Sequence, residues 1–148
     1  MRLFTGTFHH TLDAKGRLTI PTKLRVLTPE GGTLAEGAET CLHFFPPEAW
    51  QAQVERMLQL DDLTAGARDA QRKFFAAAEE CQFDRQGRIT IPIELRQNAG
   101  ITKDVAVVGV GTRIEIWQLE GWRIRKASID AEAQDIFERA SRHSTSPT

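Results

Sequence analysis

The sequence predicts an α+β protein in which hairpins from two halves interlock into one barrel-like β core, flanked by helices. Two observations carry that expectation. A thirteen-residue motif is written twice, as Asp13-Ala-Lys-Gly-Arg-Leu-Thr-Ile-Pro-Thr-Lys-Leu-Arg25 and as Asp84-Arg-Gln-Gly-Arg-Ile-Thr-Ile-Pro-Ile-Glu-Leu-Arg96. It mixes turn, strand and cationic chemistry, so it marks a duplicated supersecondary unit and not a chance likeness of two helices. Each half also has too few strands to make a stable sheet alone, so the two must share a core. A length of 148 residues suits one globular domain or two small halves of this kind.

Taken in order, Phe4 to Leu12 is rich in Thr and aromatics and reads as a strand entering a hairpin. Asp13 to Gly16 fits a type I turn, with Asp favoured first and Gly fourth. Gly16 then adopts the left-handed conformation that makes a bulge and returns the chain. In the returning strand, Leu18 and Ile20 share one face while Arg17 and Thr19 share the other. Pro21 removes a ladder donor and closes the strand, and Thr22 to Leu27 form a helical turn. The second copy repeats each step: Glu80 to Phe83, the turn Asp84 to Gly87, the strand Arg88 to Ile91, then Pro92 and a helix to about Asn98, ended by Gly100. Further strands are expected at Cys41–Phe45, Asp104–Val110 and Arg113–Trp117, with Trp50 and Trp122 corresponding after the outer two. Trp50, Val54, Met57 and Leu58 give a helical stripe, and Thr64 caps a helix to about Ala78. Ile129 to Arg142 is a final helix, and Ser141 to Thr148 should fray. The expected divisions are 4–53 and 80–124 for the two repeats, 54–79 for a helical connector and 125–148 for the terminal helix and tail.

The net charge of −1 argues against a nucleic-acid binder until its distribution is read. Residues 1–25 balance to +4, residues 30–80 to −6, residues 84–126 to +3 and the remainder to −2. Both motifs sit in positive segments, which permits a basic face in a neutral chain. The acidic 30–80 segment is either a solvated face or a docking surface for another protein. No stretch approaches the roughly 20 apolar residues of a membrane span, and the first residues lack a signal-peptide pattern. Cys41 and Cys81 lie at unmatched places in the halves and read as buried or idle thiols in a reducing cytoplasm.

Arg17 and Arg88 each begin a strand after a tight turn, opposite the apolar pair, while Lys15 and Arg85 project from the hairpin tips. Two such hairpins offer cationic knobs for phosphates and for guanine edges in a major groove, which admits a two-stranded ribbon. Asp13 can pair with Arg17, and Asp84 with Arg88, to lock the turns. Both roles are compatible, because Asp can aim the Arg and leave donors free. Catalysis by the two aspartates is disfavoured, since a neighbouring Arg lowers a carboxyl pKa where a general acid needs it raised. His9, His10, His43 and His143 are scattered and suggest no metal site. Gly109-Val-Gly111 lacks the third glycine and the helix of a dinucleotide cradle. Trp50, Phe74, Phe75, Trp117 and Trp122 read as packing residues. No catalytic, cofactor or metal residues are assigned.

The doubled Asp-x-x-x-Arg motif, with Gly6-Thr-Phe-His-His-Thr-Leu-Asp13, Phe44-Phe-Pro-Pro-Glu-Ala-Trp50 and Val107-Val-Gly-Val-Gly111 leading to Ile114-Glu-Ile-Trp117, resembles the MraZ family of bacterial transcriptional regulators. One hairpin alone would suggest only the wider AbrB/SpoVT superfamily. The resemblance implies two tandem AbrB-like units and a ring homo-oligomer of about eight or more subunits. It also implies binding to double-stranded DNA, at promoter direct repeats upstream of a cell-division and cell-wall operon that includes its own gene. The protein would then be cytoplasmic and nucleoid-associated, an enzyme in no step, and without a membrane partner or cofactor. The implied DNA contacts are Lys15, Arg17, Arg85 and Arg88, with Asp13, Gly16, Asp84 and Gly87 shaping the hairpins. The first motif balances to +3 and the second to +1, with Glu94 in place of Lys23, so the first copy is expected to read DNA more strongly. An antitoxin of the same superfamily is a weaker reading, because such proteins carry one motif and a long toxin-binding tail.

Overall fold

The computed structural model describes residues 3–144, which fall into two units, one ending at Gln118 and one beginning at Leu119. Of the segment 141–148 expected to fray, residues 141–144 belong to the last helix and residues 145–148 lie outside the described residues.

In the first unit each repeat runs strand, tight turn, short strand, proline, helical turn and hairpin. The first repeat supplies β1 (Thr7–Thr11), β2 (Arg17–Thr19), α1 (Thr22–Arg25), β3 (Gly32–Glu36), β4 (Leu42–Phe45) and α2 (Pro47–Leu58). After α3 (Ala65–Ala77) the second supplies β5 (Glu79–Cys81), β6 (Arg88–Thr90), α4 (Ile93–Asn98), β7 (Asp104–Val110) and β8 (Arg113–Gln118). The turn and proline signals place β2 and β6 well. α3 begins where Thr64 predicts, its Oγ1 accepting the Ala67 N–H at 3.2 Å. The strand β3 was not anticipated. Thr33, Leu34 and Ala35 are all buried, so the alternation that announces a half-buried strand is missing.

The strands interleave the halves. A six-stranded antiparallel sheet runs β1-β7-β8-β4-β3-β5, and β2 pairs with β6 in a separate ribbon. Each repeat's hairpin is central, the two meet along β4 and β8, and each repeat's first strand lies on the other repeat's hairpin. The shared core is therefore as expected, but a closed barrel is not formed: β1 and β5 remain the two edges of an open ladder. The reason lies in the motif. The Asp-x-x-Gly turn precedes each short strand and Pro21 or Pro92 follows it, so β2 and β6 are three residues long and pair only with one another.

The motif's apolar side chains converge on one core. Leu18, Ile20 and Leu24 meet Ile89, Ile91 and Leu95, and the sheet adds Leu34, Leu42, Phe44, Val105, Val107, Ile114 and Ile116. Helices α2 and α3 carry an aromatic layer in which Trp50 stacks on Phe74 at 5.0 Å and Phe45 lies 6.1 Å from Trp50. That agrees with reading these rings as packing residues. Lys73 Nζ and Asn98 Nδ2 each reach Glu36 at 2.7 Å, tying α3 and α4 to β3.

The second unit holds α5 (Leu119–Ala131) and α6 (Ala133–Ser144), separated at Glu132. The expected terminal helix from Ile129 thus divides between the end of α5 and the whole of α6. Ion pairs Arg123–Glu120 and Lys126–Asp130 lace α5 at helical spacing. Among the described residues no helix is long and apolar enough to cross a membrane.

Candidate nucleic-acid interface

The two turns are built alike. Asp13 Oδ1 accepts the backbone N–H groups of Lys15 and Arg17, both at 2.9 Å, and its Oδ2 accepts Arg17 Nε at 2.6 Å. Asp84 Oδ1 accepts the N–H groups of Gln86 and Arg88, both at 2.9 Å, and its Oδ2 accepts Arg88 Nε at 2.8 Å. Gly16 and Gly87 close the turns with φ of +78° and +76°, a region in which a Cβ is strained. The aspartates therefore shape the turn and aim the arginines at once.

Pairing brings the two copies together. Arg17 lies opposite Thr90 and Thr19 opposite Arg88, so both arginines share one face of the ribbon while Leu18 and Ile89 face the core. Arg88 Nη1 also comes within 3.6 Å of Asp13 Oδ2, which sets Asp13 between the two guanidinium groups. The turns lie at opposite ends of this antiparallel ribbon: Gly16 O accepts Ile91 N–H and Gly87 O accepts Ile20 N–H. Lys15 and Arg85, both exposed, accordingly mark its two ends. The two cationic hairpins pair into one ribbon that carries four cations and two carboxylates.

Two further residues of the motif hold the ribbon, and their role was not read from the sequence. Arg25 Nη1 donates to Ile20 O at 3.0 Å and lies 3.5 Å from Gly87 O of the other repeat. Arg96 Nε donates to Ile91 O at 2.9 Å. A Cβ built on Gly16 would meet the Arg96 guanidinium at 2.8 Å, and one on Gly87 would collide with that of Arg25. Each motif's last arginine thus rests on the other motif's turn. Its recurrence at the end of both copies was the available signal, but nothing in one copy's spacing points to a partner in the other.

The electrostatics oppose acid–base chemistry here. The Arg17 backbone N–H above all, helped by its side chain and the Lys15 N–H, holds the Asp13 carboxyl below its ordinary 3.8 against the opposing effect of burial. Arg88 and Gln86 do the same for Asp84. A depressed folded-state pKa contributes stability that is present above the unfolded value and lost as pH falls through the folded one. Urea unfolding followed downward from about pH 6 should therefore show stability falling below about pH 4, and Asp13→Asn with Asp84→Asn should flatten part of that slope. An unchanged slope in the double variant would remove these turns from the acid response.

Comparison with known proteins agrees with the repeat. The family model described as "MraZ protein, putative antitoxin-like" matches this chain twice, at residues 3–73 and 74–143. The chain belongs to the MraZ family. A protein named transcriptional regulator MraZ from Heliobacterium modesticaldum is 42% identical over 137 residues, covering 93% of this chain and 96% of that protein. Proteins of the same name from Limosilactobacillus fermentum and Lactiplantibacillus plantarum are 40% and 42% identical, each over 139 residues and at least 92% of this chain. In this MraZ-family chain the two matched copies meet within α3. The first strand of the second copy, β5, follows that helix directly and crosses to the first copy's β3.

Proposed function

We propose that this chain is a transcriptional regulator that binds duplex DNA through the β2–β6 ribbon. It acts as a ring of about eight or more copies on promoter direct repeats, upstream of a cell-division and cell-wall operon that contains its own gene. The observation that carries the reading is the placement of Arg17 and Arg88 on one ribbon face, with Lys15 and Arg85 at its ends. A two-stranded ribbon is a shape the major groove accepts, and an arginine fork matches the acceptor edge of guanine. The names of the relatives support the regulatory role. One ribbon with a few cations binds weakly at physiological salt, so repeated sites and repeated ribbons suit each other through effective concentration.

The test is gel retardation of the DNA upstream of the gene against unrelated DNA, repeated across salt. Upstream DNA should be retained preferentially. The logarithm of affinity should fall against the logarithm of salt with a slope of about −3 to −4 for each ribbon neutralising about four phosphates. Equal retention of both fragments would refute specific reading, and a flat salt response would refute phosphate contact.

A further inference from the structure

We propose that Cys41, His43 and Glu115 form a binding site for a zinc-class transition-metal ion that staples the first repeat to the second. No metal site is expected from the scattered histidines, but the fold draws these three together. Cys41 immediately precedes β4 and His43 lies within it, and neither joins the apolar core that holds Leu42 and Phe44. His43 is paired directly with Glu115 across the β4–β8 seam. One donor atom from each of the three lies within 4.8 Å of the others.

Several features suit a metal there. His43 Nε2 is buried and makes no aligned hydrogen bond, although Glu115 Oε2 is 3.3 Å away. An imidazole nitrogen in that position costs stability unless something accepts its lone pair or its proton. Glu115 is buried, with protein donors on both of its carboxylate oxygens. Trp117 Nε1 binds Oε1 at 2.9 Å, and Arg113 binds Oε2 through Nε at 2.9 Å and Nη2 at 2.8 Å. Such outer donors orient a ligating carboxylate and leave it a lone pair for the ion. Gly37 keeps room beside two of the donors, since a Cβ there would meet Cys41 Sγ at 2.7 Å and His43 Nε2 at 2.9 Å.

The donor set decides the class of ion. Thiolate with imidazole and carboxylate suits zinc or cobalt(II), whereas magnesium and calcium take oxygen ligands. Metal bonds of roughly 2.0–2.3 Å place tetrahedral ligands about 3.5 Å apart, so the site needs a contraction of at most about 1.3 Å. On binding, the metal–sulfur bond forms and the Cys41 thiol proton passes to solvent. The fourth position remains for water. The proposal is independent of the DNA reading, because the site lies on β4 and β8 and uses no residue of the ribbon.

The experiment is titration of cobalt(II) into the purified full-length protein under reducing conditions. One equivalent should produce a thiolate-to-cobalt charge-transfer band in the near ultraviolet, with visible bands of a tetrahedral ion, and zinc should abolish both. Cys81→Ser should keep the signal, since that thiol is buried elsewhere with its pKa pushed up to about 11. Cys41→Ser should lose it, and His43→Gln should weaken apparent affinity roughly ten-fold or more. Should Cys41→Ser fail to fold, as judged by circular dichroism, His43→Gln carries the decision. Absence of the band in folded wild type, or an undiminished band with unchanged affinity in either ligand variant, overturns the site.

Discussion

On the proposed function, Arg17→Ala should abolish preferential retention of promoter DNA and leave the size of any assembly unchanged. Arg17 is anchored by Nε on Asp13, and among the described residues its terminal nitrogens have no protein acceptor. The guanidinium is thus aimed but still has donors to offer a base edge. Arg88 is held more tightly: Asp84 takes its Nε at 2.8 Å and Asp13 lies 3.6 Å from its Nη1. Its side chain is also less exposed, 24% against 33% for Arg17. Arg88→Ala should therefore weaken binding less. Losing one bidentate arginine contact costs about 1–3 kcal/mol of discrimination per ribbon. In a multivalent assembly that loss recurs at every engaged site, so a modest local change becomes loss of detectable complex. The truncation also leaves Asp13 with only the more distant Arg88 guanidinium, 3.6 Å away, as counter-charge. Arg17→Lys separates charge from shape, since lysine keeps the cation but not the planar fork. It should retain salt-sensitive binding to any DNA and lose the preference for promoter DNA. Wild-type retention by Arg17→Ala, measured by gel retardation beside size-exclusion chromatography, would remove this residue from the mechanism.

Gly87→Ala should lower stability by about 3 kcal/mol, and Gly100→Ala by only about 1 kcal/mol. Both glycines have positive φ, +76° and +65°, so both substitutions carry a conformational penalty. They differ in surroundings. A Cβ at Gly100 meets nothing within 4 Å, whereas one at Gly87 collides with the guanidinium of Arg25. That side chain holds Ile20 O and Thr22 Oγ1, both at 3.0 Å, so moving it breaks bonds at the end of the first ribbon strand. Urea unfolding of the two alanine variants gives the comparison directly. In a double-mutant cycle, Arg25→Ala should recover part of the Gly87→Ala loss, because the collision is gone. Equal costs at the two glycines, or strict additivity in the cycle, would show that Arg25 does not clamp this turn.

Much of this was legible from local chemistry. Asp13, Gly16 and Pro21, and their equivalents Asp84, Gly87 and Pro92, announce a turn, a left-handed residue and a strand end within a few positions, so β2 and β6 were placed from the sequence. Thr64 likewise announced α3. β3 was missed because burial on both faces erases its alternation. Barrel closure is not legible in the same way: strand number implies interlocking, while closure depends on strand length and on which edges pair. Arg25, Arg96 and the Cys41–His43–Glu115 group escaped notice because their partners lie in the other repeat.

The sequence by itself determined that the chain is duplicated, that each copy makes an Asp-clamped turn with an outward arginine, and that positive charge gathers at both copies. These are short-range facts, set by φ preferences, hydrogen bonds across four residues and side-chain alternation. Only the tertiary structure decided that Arg17 and Arg88 share one face, that each motif's last arginine supports the other's turn, and that His43 meets Glu115. Those outcomes depend on register between strands about seventy residues apart. Burial of one continuous apolar core selects that register, and no local pattern encodes it.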